Sequence, residues 1–62
     1  MPSLNHQVAV LGHGRFGAAL CDLLEQGGLD VAAWDPEAPI PPNRSFGGLH
    51  EVVAGARFVI LA

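Results

Sequence analysis

The feature that most constrains the fold is "VAVLGHGRFGAAL", Val8 to Leu20, in which three glycines separate two apolar runs. The run "QVAVL" before the first glycine is partly β-branched, which predicts a buried strand from Gln7 to Leu11. The run "RFGAALCDLLEQ" after it has apolar residues at helical spacing, and Gly27 and Gly28 follow as a stop signal. The chain therefore opens with a predicted strand–turn–helix unit.

The same alternation continues to the last residue. "DVAAW" predicts a second buried strand, and the connector "PEAPIPPN" carries four of the five prolines, which excludes a helix interior there. "RSF", residues 44–46, predicts a short third strand, "GLHEVVAG" a short helix and "RFVILA" a last strand. This order predicts an α/β fold, a partial Rossmann-type parallel sheet with strand order 3-2-1-4 and right-handed crossovers.

Composition excludes several classes of protein. The net charge is −3 and the three arginines are scattered, which argues against a nucleic-acid partner. No apolar run approaches the ~20 residues of a membrane span, and "MPSLNHQ" lacks the features of a signal peptide, so we expect a cytoplasmic protein. The single cysteine excludes an internal disulfide, and the histidine spacing indicates no metal site.

The glycines at 12, 14 and 17 match the pattern G-x-G-x-x-G in the context that gives it meaning. They follow a predicted strand, open a predicted helix and precede an acid, Asp35, by 18 residues. In a dinucleotide loop Gly12 permits the turn, Gly14 lets the pyrophosphate approach the backbone, and Gly17 lets the helix pack on the sheet. The helix amides then face the phosphates.

Asp35 is the expected ribose ligand, accepting hydrogen bonds from the 2′- and 3′-hydroxyls. It would repel a 2′-phosphate, so NAD is favoured over NADP, unless the proline connector folds back and brings Arg44 to the ribose. The alternative is that the glycines only end a strand and start a helix, with Asp35 a turn residue before Pro36. The expected cofactor-binding residues are Gly12, His13, Gly14, Arg15, Phe16, Gly17 and Asp35.

Several other side chains have ordinary interpretations. His13 occupies a variable position of the motif, so its side chain is expected to point to solvent. Arg15 lies in the first helical turn, where it contacts a phosphate or is simply solvated. Cys21 is expected in the core, and Trp34 is expected to pack or to flank an adenosine pocket. His6 and His50 are expected at the surface.

The chain resembles the NAD(P)-dependent glycerol-3-phosphate dehydrogenases and related 6-phosphogluconate-dehydrogenase-like enzymes. The resemblance rests on Phe16 at the aromatic position of the loop, on "VAAWD", and on "PPNRSFGGLHEVVAGARFVILA". It implies a cofactor domain that serves hydride transfer on a small hydroxylated substrate such as glycerol 3-phosphate. The segment before Pro-Pro-Asn is much shorter here than in that family.

Two further families are similar to parts of the chain. "GHGRFG" resembles the nucleotide-sensing domains of potassium transport systems, and the same stretch does not exclude a resemblance to prephenate or arogenate dehydrogenases. The first resemblance implies a regulatory binding module rather than an enzyme. The residues downstream of Ala62 in the parent protein would distinguish these families.

The chain stops inside an apolar run, so we expect a fragment. Residues 1–62 are interpreted as the first half of a dinucleotide-binding domain, with the substrate domain absent. No catalytic residue is assigned. We expect the fragment alone to be inactive because the substrate domain is absent, and to bind its cofactor weakly because the loop after the last strand, which builds part of the adenine and nicotinamide pockets, is absent too. "RFVILA" should be an exposed edge strand through which the chain self-associates.

Overall fold

Strand β1, His6–Leu11, is the centre of a three-stranded sheet in the computed structural model, which describes residues 6–62. Strand β2, Val31–Trp34, pairs with one edge of β1 and strand β3, Ala56–Leu61, pairs with the other. Both pairings are parallel, and the observed order is β2-β1-β3. The fold is thus α/β, with an all-parallel open sheet and two helices.

The central strand is buried on both faces because it has a neighbour on each edge and a helix on each side. Val8, Ala9 and Val10 are all 4% exposed or less. Successive side chains in a strand point to opposite faces, so Val8 and Val10 face one helix and Ala9 faces the other. This explains why β1 reads as a continuous apolar run rather than an alternating one.

The two helices cover the two faces of this sheet. Helix α1, Arg15–Gln26, packs the buried thiol of Cys21 among the valines, which confirms the expectation that Cys21 belongs to the core. Helix α2, Leu49–Ala54, packs Val52 on the alanines of β1 and β2. Burial raises the pKa of the Cys21 thiol. Within residues 6–62, neither helix is long and apolar enough to cross a membrane.

The predicted short third strand at residues 44–46 is wrong, so the four-strand order is not what the structure shows. Two turns curl this segment, with the Arg44 amide bonded to the Pro41 carbonyl and the Ser45 amide to the Pro42 carbonyl. It touches the outer edge of β2 once, where the Ala33 amide donates to the Arg44 carbonyl at 2.9 Å. A curled segment beside two prolines cannot continue a ladder.

The expectation that His6 lies at the surface is also wrong, whereas His50 is exposed as expected. The His6 ring is 5% exposed, and its Nε2 donates to the Val52 carbonyl at 2.6 Å. The ring also meets the edge of Phe46, with centroids 4.9 Å apart. His6 thus joins the start of β1 to α2 and to the segment before it.

Candidate functional site

The turn between β1 and α1 is closed between the ends of the two outer strands. Gly12 has φ +113°, a conformation that favours glycine, and its amide donates to the Trp34 carbonyl at 2.7 Å. A Cβ on Gly12 would lie 2.7 Å from the Ala62 carbonyl oxygen. Both the backbone conformation and the lack of space therefore require glycine at this position.

Gly17 lies in the first turn of α1, directly against the Gly12 turn. A Cβ at Gly17 would collide with the Gly12 carbonyl oxygen. The missing side chain lets the helix begin immediately beside the end of β1. Gly12 and Gly17 thus serve the packing of the chain itself.

Gly14 differs from its two neighbours because nothing lies near its missing side chain. Apart from Gly14 itself and its two chain neighbours, no heavy atom of the described residues comes within 4 Å of the position a Cβ would take, and the residue is exposed. Its φ of −76° is open to any residue, so neither strain nor packing requires glycine there. What the missing side chain provides is open access to the backbone at the start of α1.

The amides at the start of α1 are not capped. Gly14 is the N-cap, and the first intrahelical bond runs from the Ala18 amide to the Gly14 carbonyl at 2.9 Å. Among the described residues no side chain caps these amides, and the first turn contains no acid. The free amides and the positive end of the helix dipole together favour an anion at this point.

Asp35 directly follows β2 and joins the glycine turn to the next loop. Its Oδ2 accepts the His13 amide at 2.7 Å, and its Oδ1 accepts the amides of Ala38 and Glu37 at 2.7 and 2.8 Å. These bonds, with that from Ala38 the strongest, lower the pKa of the Asp35 carboxyl. Since each oxygen accepts about two bonds, Oδ1 is filled and Oδ2 can accept one more donor.

The expectation that the His13 side chain points to solvent is wrong. The residue is 8% exposed, and its Nε2 accepts a hydrogen bond from Arg44 Nη1 at 3.0 Å. An arginine can only donate, so this Nε2 carries no proton and the neutral ring is protonated at Nδ1. His13 therefore holds Asp35 through its backbone and Arg44 through its ring.

Arg44 is the residue that sequence reasoning placed least well. The proline connector does fold back, but the guanidinium turns to α1, where Nε and Nη2 donate to Glu25 at 3.0 and 2.7 Å and Nη2 also donates to Asp22. The hydrogen bond from Arg44 lowers the pKa of Glu25, and Glu25 in turn raises the pKa of Arg44. One feature of the sequence does indicate this position for Arg44. Asp22 and Glu25 lie three positions apart on one helix and share a face, where a cation relieves the repulsion between their two negative charges.

The remaining expected residues lie at the open side of the loop. Arg15 is exposed, and Phe16 is 70% exposed, beside the uncapped amides.

Trp34 is half-buried against the α2-side core, as the packing interpretation expects. A cleft of about 370 Å³ lies elsewhere and includes none of the glycine turn. The described part of the chain contains no cluster of metal-ligating residues.

No family model, curated protein or solved structure matches this chain. The functional interpretation therefore rests on the geometry: an uncapped helix start, an open Cα at Gly14 and a charged Asp35 with one free acceptor position. Such an arrangement can bind a phosphate beside a hydroxyl, the combination found in a nucleotide.

Proposed function

We propose that this chain is a nucleotide-binding segment that holds NAD. The pyrophosphate lies on the uncapped amides at the start of α1, and one ribose hydroxyl donates to Oδ2 of Asp35. The observation that carries the proposal is the open space at Gly14, since packing explains the other two glycines and leaves this one unexplained. A dinucleotide loop needs that space for close approach of phosphate to the backbone.

The charges near Asp35 support NAD rather than NADP. Arg44 is bonded to Glu25, Asp22 and His13, so its charge is already matched by two carboxylates. A 2′-phosphate at the ribose site would meet the ionised Asp35 with no unpaired cation from Arg44 to offset the repulsion. Arg15 remains exposed, and in this proposal it contacts the pyrophosphate instead.

The fold unit and the activity proposed for the parent protein are taken from the family resemblance. The three-stranded sheet is proposed as part of a Rossmann-type unit, and the parent protein as a cytoplasmic NAD-dependent oxidoreductase acting on a small hydroxylated substrate such as glycerol 3-phosphate. The site described above supplies cofactor contacts and assigns no acid, base or nucleophile. The cofactor carries the hydride chemistry, and this chain positions it.

Isothermal titration calorimetry tests the proposal on the full chain. We expect NAD to bind with a dissociation constant of about 0.1–1 mM and NADP to bind at least about fivefold more weakly. Gly14→Ala should weaken NAD binding by about tenfold or more, because the new methyl group occupies the pyrophosphate position.

Gly48→Ala is the matched control for that variant. Gly48 is the N-cap of α2, as Gly14 is of α1, and its substitution should leave the affinity for NAD unchanged. Equal loss in both variants, or no heat of binding from the wild-type chain, would contradict the proposal. Tighter binding of ATP than of NAD would replace the dehydrogenase interpretation with a nucleotide-sensing one.

A further inference from the structure

Arg44 is buried, and a single residue separates its guanidinium from the proposed ribose contact. The residue is 6% exposed, and its Nη1 donates to His13 Nε2 at 3.0 Å. The His13 amide in turn donates to Oδ2 of Asp35 at 2.7 Å. One histidine therefore spans the distance between the guanidinium and the carboxylate that is proposed to accept the ribose hydroxyl.

The backbone of Arg44 is fixed beside the end of β2. Its carbonyl accepts the amide of Ala33, two positions before Asp35, and its own amide donates to the Pro41 carbonyl, both at 2.9 Å. The Cα of Arg44 thus stays next to this strand end whichever way its side chain turns. The direction of the side chain decides whether its charge faces the ribose of a bound nucleotide.

Two carboxylates of α1 fix that direction. Nε and Nη2 of Arg44 donate to the two oxygens of Glu25 at 3.0 and 2.7 Å, and Nη2 also donates to Asp22. A bidentate pair of this kind is among the stronger and more directional ion pairs. Asp22 and Glu25 share one face of the helix, so together they hold the guanidinium against α1.

This network leaves no positive charge for a ligand. Two carboxylates face one guanidinium, and the His13 ring is neutral because its Nε2 accepts from Arg44. Within residues 6–62, one N–H of Nη1 is left without a partner, so Arg44 keeps a donor but no uncompensated charge. A phosphate monoester carries about two negative charges at neutral pH and requires both.

We propose that Asp22 and Glu25 determine which nicotinamide cofactor this chain binds, by holding Arg44 on α1. The inference rests on the proposed function, since it assigns the residues that exclude a 2′-phosphate from the NAD site. With both carboxylates present, the extra phosphate of NADP meets Asp35 and no unpaired cation. With both replaced by amides, Arg44 carries an unpaired charge beside the ribose, and its donors match phosphate oxygens. Two side chains of α1 thus select the cofactor by binding Arg44.

The test is a chemical-shift titration of the ¹⁵N-labelled full chain with NAD and with NADP, which measures dissociation constants in the millimolar range. The double variant Asp22→Asn with Glu25→Gln keeps the shape and the acceptor oxygens of both side chains and removes both charges. We expect this variant to bind NADP about tenfold more tightly than the wild-type chain does, while its affinity for NAD changes by less than about threefold.

Two controls separate the role of Arg44 from a general loss of negative charge. Asp30→Asn with Glu51→Gln removes the same number of charges at exposed positions that form no ion pair with Arg44, so the ratio of the two affinities should stay that of the wild-type chain. Adding Arg44→Gln to the double variant of Asp22 and Glu25 should abolish the gain in NADP affinity.

The Nε–H resonance of Arg44 reports the surroundings of the guanidinium directly. It should shift when NADP is added to the double variant and stay in place when NAD is added to the wild-type chain. If the amide resonances show that the double variant does not fold, Asp22→Asn alone replaces it, since the Asp22 side chain is 64% exposed. The expected gain in NADP affinity is then about threefold.

An unchanged ratio of the two affinities in the Asp22 and Glu25 variants would overturn the inference. An equal gain in the control variant, or a gain that persists with Arg44→Gln, would also overturn it. A wild-type chain that binds no NAD would overturn the proposed function and this inference with it. NAD binding with an unchanged ratio overturns the inference alone, so the two failures are distinguishable.

Discussion

The two helices have similar N-caps, but the hydrogen bonding of their first amides differs. Each follows a glycine N-cap in extended conformation, with φ −76° at Gly14 and −80° at Gly48. At α2 the Gly48 amide donates to the carboxylate of Glu51 at 3.0 Å, so the N-cap amide of this helix is bonded from within the chain. At α1 no described side chain does this. The difference shows that a glycine before a helix indicates a ligand only where the chain itself leaves the amides open.

The two helix starts also differ in their position relative to the sheet and in the residues beside them. Helix α1 starts at the carboxyl end of the central parallel strand, the position where open α/β sheets bind their ligands, and Asp35 lies beside it. Helix α2 starts after a turn in which Gly47 has φ +119° and packs on the side chain of Glu51. The α1 start is open and lies beside Asp35, whereas the N-cap amide of the α2 start is bonded by a residue of its own helix.

The largest effect is expected from breaking the α1 start itself. In Gly17→Ala the new methyl group meets the Gly12 carbonyl, so the backbone must move, at a cost of about 2–3 kcal/mol in the free energy of unfolding. Urea unfolding followed by the fluorescence of Trp34 measures this loss. Gly27→Ala, at the other end of the same helix, has ordinary contacts and should change stability by less than about 1 kcal/mol. Equal stabilities of the two variants would contradict the packing role of Gly17.

A smaller effect is expected at the ribose contact. Asp35→Asn removes the charge that is proposed to accept the ribose hydroxyl, so NAD affinity should fall about fivefold to tenfold and the preference over NADP should shrink. Asp30→Asn makes the same change at an exposed position just before β2 and should leave both affinities unchanged. Calorimetry with the two cofactors measures this. An unchanged preference in Asp35→Asn would show that Asp35 is only a turn residue.

The smallest effect is expected at the start of α2. Glu51→Ala removes the carboxylate that caps Gly48, which should cost about 0.5–1 kcal/mol of stability without changing NAD affinity. Glu37→Ala removes an exposed glutamate of the same charge and serves as the control in urea unfolding. If opening the α2 start created a second binding site for NAD, an uncapped helix start alone would be sufficient, and the role given to Gly14 would be wrong.

The strands, the helices and the role of the glycine turn in packing follow from local pattern. Apolar runs and glycine spacing are properties of neighbouring residues, and β1, α1 and β3 lie within a residue or so of their predicted bounds. The last strand lies beside the first, as a parallel sheet with this connectivity predicts.

The surroundings of His13 could not be predicted in the same way. Its burial depends on Arg44, 31 positions later, which in turn depends on two carboxylates of α1. His6 is buried by a contact with Val52, 46 positions away. The burial of polar side chains whose partners lie so far along the chain cannot be predicted from neighbouring residues. The segment 44–46 forms a single hydrogen bond with β2, and its sequence alone does not distinguish it from a short strand.

The most direct test of the account is an amide chemical-shift titration of the ¹⁵N-labelled chain with NAD. The account predicts that the largest shifts occur at Gly14, Arg15, Phe16 and Gly17, with a further shift at His13, whose amide is bound to Asp35. The amides of Leu49–Glu51 at the start of α2 should not move. Shifts of equal size at the two helix starts, or none at Gly14–Gly17 when NAD is saturating, would contradict the account.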